Sequence, residues 1–134
     1  MADTLRAHVT NERFEIVTSV RGLPLGVREA LHTLFGSPTL HIAEPGADFQ
    51  TGAAVATPPL PTRRLVAAGC SMDHCLVHYE RGGKPRTWHV ALFHWTPQAT
   101  RFEWGGTSPN GLTTIENVRS MVLSGKVKGA DGPW

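Results

Sequence analysis

The stretch HCLVHYERGGKPRTWHVALFHW, residues 74–95, decides the fold that this sequence predicts. Apolar and polar residues alternate on both sides of Gly82-Gly83, which is typical of two antiparallel strands joined by a short turn. We predict strands over 74–81 and 86–95, with a turn of two or four residues between them. This hairpin carries four of the seven histidines, so it is also the first region to consider as a site.

Side chains alternate between the two faces of a strand, so the length of the turn decides which side chains share a face. A turn of two or four residues places His78 and His89 on one face. The four-residue turn sets them directly opposite each other, about 5 Å apart between Cβ atoms. We predict that this face binds a ligand. Its candidate residues are His78, His89, His74, Phe93 and Trp95.

Two helices and further strands surround the hairpin. Residues 24–35 and 113–124 repeat apolar side chains at helical spacing, and Thr113 with Glu116 fits a capping box at the start of the second helix. Further strands are predicted over 14–20, 39–43, 63–70 and 100–106. The expected fold is a single α+β domain, residues 1–134. An antiparallel meander of about four to six strands packs against the helices 24–35 and 113–124.

The composition argues against two classes of partner, nucleic acids and membranes. The 134 residues carry a formal net charge of +2, and the basic residues are scattered, so we expect no nucleic-acid partner. No apolar run approaches the roughly 18 residues needed to cross a bilayer, so no membrane partner is expected. The N-terminal sequence MADTLRAHVTNERF lacks the apolar core of a signal peptide, which predicts a cytoplasmic location.

The two cysteines are Cys70 and Cys75. Two cysteines in a chain of this length do not make a disulfide framework, so we predict reduced thiols with at least one of them buried. The alternative is a disulfide that closes the short loop between them. That alternative would indicate an oxidising compartment instead of the cytoplasm.

The histidine face offers too few ligands for a metal ion. His78 and His89 supply two, whereas zinc sites use three or four protein ligands. His74 lies about 13 Å from His78 along the strand, so a third ligand would have to come from His41 or Asp48. We predict no metal and no cofactor. Two adjacent imidazoles repel each other when protonated, which predicts a pH response between about pH 5 and 7.

Residues 70–75, CSMDHC, resemble the C-x-x-x-x-C loop of the Ivy-type inhibitors of vertebrate lysozyme. In that family, a disulfide-closed loop presents a histidine to the cleft of the target enzyme. The resemblance implies that Cys70 and Cys75 form the clamp and that His74 is the histidine presented. It covers six residues, and the proline that precedes the histidine in the family is absent here.

These patterns favour a binding module for a small molecule or a protein partner. Its predicted surface is the His78/His89 face together with the Pro- and Gly-rich segment 44–62, since long irregular segments in compact domains are often functional. Two alternatives stay open. One is a secreted inhibitor that presents the Cys70–Cys75 loop. The other is an enzyme in which a histidine acts as acid or base beside one of three acidic residues, Asp73, Glu80 or Glu103.

The C-terminal Trp134 is expected to dock, because loose tails are seldom ordered. Its docking site is either its own domain or a neighbouring subunit, which leaves a homo-oligomer open.

Overall fold

The structure is a computed structural model that describes residues 1–36, 42–52 and 59–134. Residues 37–41 and 53–58 lie outside this description, and with them His41, most of the predicted strand 39–43 and part of the 44–62 segment. The helices are α1 (Asp3–Asn11), α2 (Leu25–Phe35) and α3 (Ile115–Leu123). The strands are β1 (Glu15–Val17), β2 (Ile42–Ala43), β3 (Arg63–Cys70), β4 (His74–Arg81), β5 (Thr87–Trp95), β6 (Thr100–Ser108) and β7 (Lys128–Gly129).

The strands form one sheet in the order β1-β3-β4-β5-β6-β7, and β2 pairs with β3 beside this path. All pairings are antiparallel except that of β2 with β3, which is parallel. The α+β class and the meander from β3 to β6 are therefore confirmed. The two-residue strand β7, which pairs with 106–107, was not predicted because it carries no alternating pattern of its own.

Helices cover both faces of the sheet. Seven of the eight residues of β4 are buried, so neither face of the hairpin is open along this strand. The core on the α2 side includes Val27, Leu31, Leu65, Cys75, Val77, Tyr79, Ala91 and Phe93. The core on the side of α1 and α3 includes Val9, Leu76, Val90, Leu92, Leu112, Val118 and Val122. Within the described residues, no helix is long and apolar enough to cross a membrane.

The helix ends follow local chemistry. Helix α2 begins after Pro24 and ends at Gly36, whose φ of +66° is the left-handed conformation that glycine adopts most readily. The predicted capping box of α3 is wrong by one residue. Thr114, in an extended conformation, caps the helix by accepting a hydrogen bond from the backbone N–H of Asn117 at 3.1 Å. Glu116 instead forms an ion pair with Arg119.

The register of the hairpin differs from the predicted one. The connecting loop 82–86 has five residues, and Arg81 pairs with Thr87. Its first two amides donate hydrogen bonds to neighbouring segments, Gly82 to the carbonyl of Thr62 at 2.8 Å and Gly83 to that of Thr51 at 3.1 Å. An odd number of loop residues shifts the pairing by one position, which exchanges the faces of one strand relative to the other.

That shift overturns the predicted ligand-binding face. His89 pairs with Tyr79, and His78 pairs with Val90. Residues paired across a sheet share a face, while neighbours along a strand do not. The two imidazoles therefore lie on opposite faces of the sheet, and the prediction that they form one surface is wrong.

The two cysteines form a disulfide, so the prediction of reduced thiols is also wrong. Cys70 and Cys75 are paired positions of β3 and β4, with their Cα atoms 4.1 Å apart. The connection 71–73 is short enough to bring the two strand ends side by side. The disulfide therefore closes the turn between these strands.

The C-terminal residue docks on its own chain. The ring of Trp134 meets that of Phe102 edge to face, with 5.5 Å between ring centroids, and its carbonyl oxygen accepts a hydrogen bond from Arg63 Nε at 3.2 Å. Docking of the tail was predicted, and its own domain is the site. The homo-oligomer stays a prediction.

Candidate functional site

The five residues predicted to bind a ligand divide between the two faces of the sheet. His74 and His78 lie on the face covered by α1 and α3, whereas His89 and Phe93 lie on the face covered by α2. Trp95 packs against the core on the α2 side. No single ligand of ordinary size contacts all five, because the sheet itself separates them.

His78 is a structural residue of the core. It is fully buried, and both ring nitrogens have partners: Nδ1 donates to the carbonyl of His89 at 2.8 Å, and Nε2 accepts from the backbone N–H of Leu112 at 2.9 Å. This arrangement requires the neutral ring. Burial lowers the pKa of His78 and outweighs the hydrogen bond to the carbonyl of His89, which acts in the opposite direction. No nitrogen of this ring is left for a ligand.

His89 is buried on the other face, with 2% of its surface exposed. Its ring stacks on that of Tyr79 with 5.2 Å between centroids, and Nε2 forms a hydrogen bond with the hydroxyl of Thr87 at 2.8 Å. Burial, together with the nearby positive charges of Arg81 and Arg63, lowers the pKa of His89 to about 4. His89 is therefore neutral near pH 7.

The chemically richest surface lies at the end of the sheet where β4 begins and β5 ends. A cleft of about 580 Å³ opens there against the N-terminal part of α1. The residues with reactive or charged groups that line it are His8, Asp73, His74, His94, Arg101 and Glu103. Three imidazoles and two carboxylates thus meet around one opening.

Strand pairing positions the sheet residues of this cleft. His74 and His94 are directly paired on β4 and β5, and their rings lie 5.2 Å apart. On β6, Leu92 pairs with Trp104 and Phe93 with Phe102, so that Glu103 is the extra residue of a β-bulge. A bulge redirects a side chain, and here it turns Glu103 towards the two histidines.

Helix α1 contributes His8, and Glu12, the residue that caps the C-terminal end of α1, lies four residues further along and contacts it. Glu12 accepts a hydrogen bond from Nδ1 of His74, at 2.9 Å and 3.0 Å to its two oxygens. It also forms hydrogen bonds with His8 and with the hydroxyl of Ser71. Burial by itself raises the pKa of Glu12, but the hydrogen bonds from Ser71 and His74 outweigh burial and lower it.

Ser71 fixes the turn that carries His74. Its hydroxyl oxygen accepts from the backbone N–H of His74 at 2.9 Å and from that of Asp73 at 3.2 Å, while its own proton goes to Glu12. Together with the disulfide on either side of the turn, these bonds hold His74 in one orientation at the edge of the cleft.

Sequence reasoning missed α1 and therefore the partners that it supplies. Glu12 was not among the acidic residues expected beside a histidine, and Glu80 forms an ion pair with Arg64 at 2.7 Å instead. The spacing of His8 and Glu12, four residues apart, is the signal that could have indicated a helix. It is a weak signal, because only Val9 of α1 is buried.

The loop 70–75 has the disulfide that the resemblance to Ivy-type inhibitors implies, but not the exposed histidine. His74 is 3% exposed, whereas Met72 at the tip of the loop is 89% exposed. The side chain that is exposed at the tip of this loop is therefore that of Met72.

The cleft can bind a cation, hold a polar ligand through hydrogen bonds, or move a proton, because imidazole and carboxylate groups do all three. Its rim carries the ion pair of Arg101 with Glu103 at 2.9 Å. Comparison of this chain with protein-family models, curated proteins and solved structures finds no match.

Proposed function

We propose that the protein is a binding module whose ligand occupies the cleft beside His74. The observation that carries this proposal is the convergence of three imidazoles and two carboxylates on one opening of about 580 Å³. Polar groups that converge in a concave site provide orientation and specificity for a small ligand. This cleft replaces the His78/His89 face as the proposed site.

The segment 44–62 is not part of the proposal. Its described residues pack near the loop 82–86, where Gln50 donates a backbone hydrogen bond to the carbonyl of Pro61 at 2.7 Å and Ala47 accepts one from Arg64 at 3.0 Å. The cleft lies at the opposite end of the hairpin, where β4 begins and β5 ends. One small ligand does not bridge both ends.

Binding is better supported than catalysis. The hydroxyl of Ser71 is directed at a carboxylate and not at an imidazole, so it lacks the base that activates a serine nucleophile. Both cysteines are in the disulfide, so neither offers a thiolate. An enzyme at this site would rely on its imidazoles and carboxylates, such as His74 with Glu12.

A thermal-shift screen tests the proposed site. The full chain is screened with small carboxylates, phosphate esters and divalent metal ions at pH 6 and pH 8. A ligand at 100 times its Kd stabilises the folded state by about 2.7 kcal/mol, which raises the melting temperature of a domain this size by several degrees. We expect at least one compound to produce such a shift.

Two matched variants localise that shift. Glu103→Gln removes a carboxylate from the cleft, whereas Glu29→Gln removes one from a separate groove between α2 and the β5–β6 turn. The shift is expected to fall by half or more in Glu103→Gln and to persist in Glu29→Gln. A screen without any stabilising compound, or a shift that Glu103→Gln leaves unchanged, would disprove the proposal.

The redox state of the two cysteines bears on the cellular compartment that we propose for the protein. The cytoplasmic location predicted from the N-terminal sequence is one proposal, but the disulfide between Cys70 and Cys75 favours an oxidising compartment. Alkylation of the natively purified chain, followed by mass spectrometry before and after reduction, distinguishes them. No alkylation before reduction supports the oxidising compartment, and two alkylated thiols support the cytoplasm.

The disulfide also favours the inhibitor as a second candidate function. A closed loop with Met72 exposed at its tip is suited to enter the cleft of another protein. The test measures the activity of a vertebrate lysozyme in the presence of the wild-type chain and of Met72→Asp. Inhibition by the wild type that the variant loses supports this candidate, and unchanged lysozyme activity excludes it for that enzyme class.

A further inference from the structure

We propose that the cleft beside His74 is a divalent transition-metal site in which His74, His94 and Glu103 ligate one ion and Glu12 orients His74. This inference rests on the proposed function, since it names the class of ligand that the cleft binds. Imidazole ligands favour Zn²⁺, Cu²⁺ or Ni²⁺ over Mg²⁺ and Ca²⁺, and we take Zn²⁺ as the ion to test.

The spacing of the donor atoms suits one ion. One nitrogen of His74, one of His94 and a carboxylate oxygen of Glu103 all lie within 4.8 Å of one another. Bonds of about 2.0–2.2 Å in a tetrahedral zinc site place the ligand atoms about 3.3 Å apart. Rotations of His94 and Glu103, which are both partly exposed, can supply the remaining movement of about 1 Å.

The hydrogen bonds of His74 leave the nitrogen that a metal needs. Its Nδ1 donates to Glu12, while Nε2 has no hydrogen-bond partner in the described part of the chain. A metal-ligating histidine typically donates its other ring N–H to a carboxylate, which fixes the tautomer and raises the basicity of the ligating nitrogen. Glu12 occupies that position, and Ser71 in turn orients Glu12.

The existing interactions oppose metal binding only weakly. Arg101 pairs with Glu103, but the arginine side chain is 70% exposed, and such surface pairs contribute little. A structural zinc ion contributes far more binding energy. Glu103 can therefore exchange its partner from Arg101 to the ion.

The three ligands leave one coordination position open. Sites with two histidines and one glutamate commonly keep the fourth position for water or a further ligand. Here all three ligands line one cleft of about 580 Å³, which has room for such a ligand. A bound ion would thereby give the cleft a defined attachment point for an anionic small molecule.

A second set of donor atoms in the cleft could also bind an ion. His8, Glu12 and His74 also have ligand atoms within 4.8 Å of one another. In that arrangement Glu12 would be a ligand, and His94 and Glu103 would not contribute. We assign the ion to the other set because Glu12 is already held by Ser71 and His8, whereas His94 is partly exposed and lies directly beside the ring of His74.

The experiment is a Zn²⁺ titration of the untagged full chain against a chromophoric chelator at pH 7.5. We expect one ion per chain, weakened at least 100-fold by His94→Gln and by Glu103→Gln. His32→Gln, a control on α2 in the other helical layer, is expected to bind like the wild type. Circular dichroism of each metal-free variant verifies that it is folded.

The role of Glu12 as a positioning residue has its own measurements. Glu12→Gln is expected to weaken Zn²⁺ binding by about 10- to 100-fold, and Glu12→Asp by less, as for other outer carboxylates. In the wild type, the ¹⁵N NMR chemical shifts of the imidazole nitrogens should show that Zn²⁺ binds Nε2 of His74 and that Nδ1 keeps its proton.

Three results would overturn the inference. They are a wild type that binds no Zn²⁺ stoichiometrically, folded His94→Gln and Glu103→Gln variants with unchanged affinity, and loss of binding in His8→Gln alone. If the wild type binds no Zn²⁺, the proposed function still holds provided that an organic compound raises the melting temperature of the wild type but not that of Glu103→Gln. Failure of both kinds of ligand rejects the proposed function as well.

Discussion

The middle and the open end of one hairpin use the same residue type in opposite ways. In the middle, His78 and His89 are buried on opposite faces, and burial lowers the pKa of both. At the end, His74 and His94 are paired on one face beside a cleft. The difference arises because helices cover both faces of the sheet at its centre. At its end, a cleft separates the strands from the N-terminal part of α1.

The comparison shows that the packing around an imidazole decides whether one of its nitrogens can bind a ligand. Burial at the centre removes an imidazole from solvent: both ring nitrogens of His78 have partners within the core, and Nδ1 of His89 is buried without a hydrogen bond. A histidine at the strand end can instead keep one nitrogen directed to an opening. Each prediction below alters one side of this comparison.

The largest expected effect is on the central histidine. His78→Ala removes a fully buried side chain and leaves the Leu112 N–H and the His89 carbonyl without their partner. We expect the free energy of unfolding in urea to fall by about 3–4 kcal/mol. His94→Ala at the partly exposed end should cost about 0.5 kcal/mol. Equal losses in the two variants would contradict the comparison.

The second largest effect is expected from acid, which should lower the free energy of unfolding by protonating His89 at the centre of the sheet. The pKa of His89 is about 4 in the folded chain and 6.5 in the unfolded one, so the unfolded state takes up the proton first as pH falls. Stability is therefore fully present above pH 6.5 and is lost down to pH 4, by about 3 kcal/mol for this residue. Burial is the largest cause, and the charges of Arg81, Arg63 and His78 act in the same direction.

Urea denaturation measured between pH 7.5 and pH 4 tests this effect. His89→Gln is expected to reduce the pH dependence in that interval even though it lowers stability at every pH. A residual slope is expected from His78, whose pKa burial also lowers. A slope that the substitution leaves unchanged would assign the acid sensitivity to other groups.

Loss of the disulfide acts at the open end. The double change Cys70→Ala with Cys75→Ala is expected to lower the free energy of unfolding by about 2 kcal/mol, since the closed loop is short. The backbone amide of His74 should exchange hydrogen faster, while that of Val77 in mid-strand should change only with global stability. Uniform acceleration along β4 would show that the disulfide does not act locally.

The smallest effect is expected from the carboxylate that orients His74. Glu12→Gln weakens charge-assisted hydrogen bonds to Ser71 and His74 at a partly exposed position, so we expect a loss of about 1 kcal/mol in chemical denaturation. Glu116→Gln, at an ion pair whose carboxylate is 71% exposed, serves as the control with no measurable change. A similar loss in both variants would indicate a nonspecific charge effect.

Local pattern was sufficient for most of the elements. The strands 63–70 and 74–81 and the helix over 24–35 were predicted within one residue, because alternation and helical spacing are properties of neighbouring residues. The candidate site could not be predicted in the same way. It combines α1, the turn 71–73 and a bulge on β6, three segments that are far apart in the chain.

By itself, the sequence determined the α+β class, the meander and the positions of its strands, since these follow from short-range periodicity. Only the tertiary structure decided the register of the hairpin, because the amides of the loop 82–86 bind carbonyl groups of Thr62 and Thr51 from outside the hairpin. One residue of register exchanges the faces of a strand. That long-range contact therefore separates His78 from His89, and packing against α1 gathers His74, His94 and Glu103 around a cleft.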